Sequence, residues 1–165
     1  MSRQIATFVL GETLLGVDIL LVKEVYRHAT LSPIPSAPKY LRGLMNLRGR
    51  VVTVIDLNVC LNRSEICDPE KGRLLIMKTQ EEIAGYKEGY LAGIRLGEDI
   101  VGFLIDRMDD VLTVSDEDIL PPPPNIVDID EGLIEGVIRQ GEHLVILLRV
   151  TAVLDVVMNA SNEEA

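Results

Sequence analysis

Apolar residues fall in short runs along most of the chain, broken by glycines, prolines and charges, and the runs are rich in valine and isoleucine. That pattern predicts strands, because β-branched side chains stand well on a pleated surface. Ile5–Leu10 reads as a strand, Gly11-Glu12-Thr13 as its turn and Leu14–Ile19 as the return. Ile19–Val25 fits either a helical turn with Lys23 and Glu24 outward or a continued strand. Leu31–Lys39 carries Pro33, Pro35 and Pro38, each without a backbone donor, so it reads as an extended loop. Leu41–Leu57 is the stretch around which the chain is organised: two apolar runs flank Gly49-Arg50, a hairpin whose turn takes glycine for positive φ. Asp56 stands where an N-cap opens a short helix, Leu57–Leu61.

Further on, Asn62–Gly72 reads as a loop, Arg73–Lys78 as a strand and Thr79–Gly89 as a mobile excursion. Tyr90–Leu96 and Ile100–Ile105 form an expected hairpin across Gly97-Glu98-Asp99. Val111–Val114 is a short strand, Ser115–Asp118 an acidic turn and Pro121–Pro124 a stiff, extended brace. Val150–Met158 has helical spacing, and Asn159–Ala165 reads as a frayed polar tail. The sum is an all-β chain of about ten short strands with minor helices.

The pattern repeats. Leu133–Ile138, Gln140-Gly141-Glu142 and Leu144–Leu148 follow the order of the central hairpin, with Gly136 matching Gly43 and Gly141 one place out of register with Gly49. Ahead of each hairpin lies a glycine-led strand. Gly16-Val17-Asp18-Ile19 with Val22, Glu24 and Val25 resembles Gly102-Phe103-Leu104-Ile105 with Met108, Asp110 and Val111. The chain thus reads as an internal duplication of two β units. Arg149 stands at the place of Asp56, which rules out a symmetric pair of carboxylates.

Charge narrows the function. The formal net charge is −10, which disfavours nucleic acid and anionic membrane, because both are bound by Lys and Arg neutralising phosphates. There is no phosphate-cradling glycine loop, dinucleotide fingerprint or Gly-x-Ser-x-Gly elbow. Neither His28 nor His143 has a partner at metal-ligand spacing, so no metal and no cofactor are expected. Asp109, Asp110, Asp116, Glu117 and Asp118 lack the glycine and terminal glutamate of a calcium loop and read as a solvated face. Cys60 and Cys67 are too few for a disulfide framework and read as reduced thiols, which suits the cytosol. One catalytic alternative stays open, a small all-β enzyme using Cys60 or Cys67. Arg48 has two readings, a salt bridge or carbonyl cap at its hairpin, or a partner contact. Glu24 reads as an exposed charge or a partner contact, and Val22 as core or contact.

Asn46-Leu47-Arg48-Gly49 followed by Val51-Val52-Thr53-Val54-Ile55-Asp56-Leu57 resembles the CheW-like domain of bacterial chemotaxis. Phe8–Gly11, Gly16–Leu20, Val22 with Glu24-Val25, the proline loop before Gly43, and in the second half Val101–Asp106 and Ile119–Pro123 are similar to the same family. The resemblance covers almost the whole chain. It implies one domain over residues 1–165. That domain would hold two small five-stranded β-barrels, intertwined and packed on a shared apolar core. It also implies an adaptor without catalysis, joining the cytoplasmic domain of chemoreceptors to the regulatory domain of the histidine kinase CheA at the inner face of the membrane. An inhibitory relative that holds only the kinase would share the fold. Arg48 takes the place of the family's receptor-binding arginine, and Val22 and Glu24 fall in a segment associated with partner binding. Asn46, Leu47, Gly49, Gly43 and Asp56 carry the motif and its scaffold.

Overall fold

Hydrogen-bonded strands account for about half of the described residues in a computed structural model, which describes residues 2–27, 30–61, 71–86, 96, 99–124 and 129–163. The first half runs β1 (Ser2–Leu10), β2 (Thr13–Asp18), a 3-10 turn at Ile19–Leu21, β3 (Val22–Tyr26), β4 (Leu41–Leu47), β5 (Arg50–Asp56) and α1 (Leu57–Cys60). There follow β6 (Arg73–Met77), α2 (Gln80–Ile83), β7 (Ile100–Ile105), β8 (Arg107–Ser115), β9 (Ile119–Leu120), β10 (Ile134–Gln140), β11 (His143–Leu148) and α3 (Val150–Glu163). Both readings of Ile19–Val25 hold in part: a helical turn comes first, then a strand. Ser36, beyond the second of the loop's prolines, takes a positive φ of 62°.

Two sheets form, in the orders β8-β1-β2-β11-β10-β9 and β3-β6-β7-β5-β4. The family's five-stranded barrels need two corrections here. Among the described residues neither ladder closes on itself, and the first sheet has six strands because β9 pairs with β10 at Leu120↔Val137 and Ile138↔Ile119. The equivalent place in the second sheet is an isolated bridge, Ser32↔Leu44. Each strap lies over a glycine. A Cβ on Gly43 would sit 2.6 Å from the Ser32 carbonyl oxygen, and one on Gly136 would sit 2.7 Å from that of Leu120. Those glycines are required by close approach of backbone.

Topology follows the duplication. β5 of the hairpin β4–β5 runs parallel to β7, and β11 of the hairpin β10–β11 runs parallel to β2, so each hairpin docks beside a glycine-led strand. The strand after each glycine-led strand then crosses over. β2 belongs to the first sheet and β3 to the second, while β7 belongs to the second and β8 to the first. The halves are therefore laced together, with β1 and β2 of the first half in the first sheet and β6 and β7 of the second half in the second.

Three sequence expectations are met only in part or reach outside the described residues. Both edges of β7 between Gly102 and Leu104 are taken, by β5 and β6; most of its expected hairpin partner, residues 90–95, lies outside the described residues. Thr79–Gly89 opens with a capped helical turn, where Thr79 N donates to Glu82 Oε1 at 3.0 Å and Ile83 is buried; residues 87–89 lie outside the described residues. Backbone at 159–163 continues α3.

Phe8, Val17, Leu57, Leu75, Phe103, Leu148, Val150 and Val153 meet in a buried seam between the two sheets. A smaller cluster, Ile5, Val114, Ile138, Val145 and Leu147, fills the first sheet alone. Each fully buried side chain of this size contributes roughly 1.5–3 kcal/mol. Buried charge is paired. Arg42 Nη1 lies 3.1 Å from Asp56 Oδ2 at the base of the central hairpin, and Arg3 lies 3.2 Å from Asp18 and 3.1 Å from Glu135 where the chain leaves the first sheet. Among the described residues no helix is long and apolar enough to cross a membrane.

Candidate functional site

The central hairpin pairs Leu47 with Arg50, so its two loop residues are Arg48 and Gly49 rather than the expected Gly49 and Arg50. Both have positive φ, 53° and 85°. Two positive φ values in a two-residue loop suit the right-handed twist of the flanking strands. Gly49 takes such a value freely. Arg48 does not, and a left-handed conformation costs a side-chain-bearing residue about 1–2 kcal/mol. Asn46 offsets part of this: its Oδ1 accepts the Gly49 amide at 2.9 Å, closing the turn from the side chain. The other two-residue turns place glycine where Arg48 stands. Gly11 and Gly141 follow Leu10 and Gln140 with φ of 61° and 60°.

Arg48 thus projects from a strained tip, and 67% of its side chain is exposed. Its Nη2 donates to Glu24 Oε2 on β3. β3 and β4 are the two edges of the second sheet, so this pair clasps edges that the backbone ladder leaves open. The salt-bridge reading of Arg48 is thus met, with 67% of the side chain exposed.

The other singled-out residues divide by location. Gly49 shares the turn with Arg48, Asn46 on β4 closes it through its side chain, and Leu47 is buried against the core. Gly43 seats the strap and Asp56 is fully buried, accepting from Asn58 N at 3.0 Å and from Arg42, which makes both scaffold. Val22 is half-buried and packs on the core, two residues from Glu24 yet paired with Met77. Sequence reasoning missed the partner of Lys23, whose Nζ lies 3.0 Å from Glu82 Oε2 on α2. It also missed Val51 and Val111 as surface residues, 62% and 50% exposed. The match of Val111 to Val25, itself 39% exposed, was the available signal, since both lie on the strands that cross between sheets.

Among the described residues Cys60 is the one thiol, and it is not poised as a nucleophile. Cys60 is buried, and desolvation, with the Asp56 charge adding to it, pushes its thiol up to about 12. Cys67 and His28 lie outside the described residues. Among the described residues no group of His, Cys, Asp or Glu could hold a metal ion. Asp118 spends its carboxylate on the Ser115 amide at 2.8 Å, which holds its pKa below the usual value.

Residues 4–158 match the family model of the CheW-like domain. The chain belongs to the CheW-like domain family. It is 35% identical to chemotaxis protein CheW of Treponema pallidum over 145 residues, 88% of this chain and 78% of that protein. It is also 27% identical to chemotaxis protein CheW of Rhizobium meliloti, over 92% of this chain and 87% of that one. The crystal structure of the scaffolding protein TtCheW from Thermoanaerobacter tengcongensis superposes with a TM-score of 0.72, at 26% identity and covering 90% of each chain. The CheW-like assignment agrees with the all-β architecture in two sheets.

Proposed function

We propose that the chain is a chemotaxis adaptor that couples the cytoplasmic domain of a chemoreceptor to the regulatory domain of the histidine kinase CheA, with Arg48 at the receptor contact. The single observation that carries this is Arg48 held at φ 53° with two thirds of its side chain exposed. A turn that only joined two strands would hold glycine there, as at Gly11 and Gly141. Strain kept at an exposed arginine marks a residue retained for what it touches. Guanidinium offers five donors in a planar fork, suited to carboxylates and carbonyls on a protein partner. Glu24 orients that fork, and Val22 supports the strand that carries Glu24.

The adaptor acts by binding and performs no covalent step; the inaccessible Cys60 thiol weighs against a thiol enzyme. It works in the cytoplasm, at the inner face of the membrane through its receptor. The test is co-sedimentation with a chemoreceptor cytoplasmic fragment and CheA from the same organism, using the native chain and Arg48→Glu. Native chain should bring all three together and raise kinase activity. Arg48→Glu should fold, keep the kinase and lose the receptor. Kinase binding without receptor by the native chain would instead identify an inhibitory relative, and binding to neither would remove the adaptor role.

A further inference from the structure

β3 carries an irregularity beside the Arg48 contact. Its register with β6 shifts between Val22↔Met77 and Glu24↔Ile76. Residues two apart on a regular strand point to one face. Met77 and Ile76 are consecutive and point to opposite faces, so the shift puts Val22 and Glu24 on opposite sides of the sheet. Lys23 is the extra residue. The consequence is visible at both neighbours: Val22 packs on the core, while the Glu24 carboxylate meets Arg48. In a regular strand Glu24 would share the side of Val22 and turn away from the arginine.

A bulge is held by what its extra residue does. Lys23 Nζ lies 3.0 Å from Glu82 Oε2, and the other oxygen of Glu82 accepts the Thr79 amide at 3.0 Å. Glu82 is itself fixed: Thr79 is buried, and the adjacent Ile83 is packed into the core. Lys78 N donates to the Leu21 carbonyl at 2.8 Å, tying the chain before α2 to the start of β3. Partial burial raises the Glu82 carboxyl, but the Thr79 amide and the Lys23 ammonium outweigh it and hold the group ionised.

We propose that Lys23 and Glu82 are positioning residues of the receptor site: their ion pair pins the β3 bulge, and the bulge aims Glu24 at Arg48. This rests on the receptor-binding reading of Arg48 and extends it to α2. Neither residue needs to touch the receptor.

The experiment measures affinity for a chemoreceptor cytoplasmic fragment, with the fold of each variant checked by circular dichroism and thermal melting. Lys23→Glu and Glu82→Lys each set like charges against one another, and each should weaken receptor binding by about tenfold. The swapped double variant, Lys23→Glu with Glu82→Lys, restores an opposite pair and should bind within about threefold of the native chain. Glu82→Gln, which keeps shape and removes charge, should weaken binding by about two- to fivefold. Folded single variants that bind like the native chain would overturn the inference, as would a swapped variant no better than the singles. Failure of the native chain to bind the fragment would instead remove the receptor reading, and this inference with it.

Discussion

The two hairpins of this protein share a base and differ at the tip. At the base of the central hairpin Asp56 N donates to the Tyr40 carbonyl at 2.7 Å; in the other, Arg149 N donates to the Leu133 carbonyl at 2.8 Å. Each has a register shift at its glycine, between Leu41 and Gly43 and between Ile134 and Gly136. Each runs into a helix, α1 or α3. At the tips, Gly141-Glu142 takes its positive φ on glycine, whereas Arg48-Gly49 puts one on arginine as well. What the halves share makes the fold. What one half carries against local preference, at an exposed position, is where the proposed receptor contact lies.

The equivalence of the bases is the part most open to attack. Gly43→Ala and Gly136→Ala each drive a methyl group onto a strap carbonyl and should each destabilise by about 1–3 kcal/mol, read from urea unfolding. A large loss at one and none at the other would break the correspondence of the two straps. The contrast at the tips is sharpened by Gly141→Arg, which copies the strained arginine into the second hairpin. It should lower stability by about 1–2 kcal/mol and leave receptor binding unchanged. A gain in receptor affinity there would mean that any exposed arginine at a tip suffices.

A smaller effect comes with acid. Glu82 has its carboxyl held below the usual glutamate value, as Asp118 has at the Ser115 turn. A carboxyl depressed in the folded state contributes stability that is present above its unfolded pKa and lost as pH falls through the folded one. Between pH 7 and 5 both turns should hold. Below the ordinary glutamate value of 4.5 the Glu82 contribution should fade, and Glu82→Gln should flatten the stability profile in that range. An unchanged profile would show that Glu82 is not held as described.

Much of this was legible in the sequence. The β-branched run at Val51–Ile55, the glycines at 16, 43, 102 and 136 and the cap at Asp56 each report a local requirement of the backbone. The hairpin turn was misplaced by one residue because arginine carries no signal for a left-handed φ. Asn46 closes the loop with a side chain, and that bond depends on the turn already formed. The straps over Gly43 and Gly136 pair across 12 and 17 residues, so their likeness, Ser32-Pro33 to Leu120-Pro121, emerges only when the edges are seen. Lys23 was read only as an outward charge for a related reason: a bulge interrupts the alternation by which strands are read. The proposed site is therefore a set of departures from regular strand and turn rules, gathered where Arg48 and Glu24 join the two edge strands of the second sheet.

The most direct test of the central claim is Arg48→Gly, read by thermal melting and by affinity for the chemoreceptor fragment. Relief of the left-handed strain is worth about 1–2 kcal/mol. Against it stand the freedom that glycine adds to the unfolded chain, about 0.5–1 kcal/mol, and an exposed ion pair worth about 0–1 kcal/mol. The fold should therefore change by no more than about 1.5 kcal/mol, while receptor affinity falls at least about tenfold. A variant that melts like the native chain and binds the receptor as tightly would contradict the account, because the strained arginine would then serve nothing that the receptor reads.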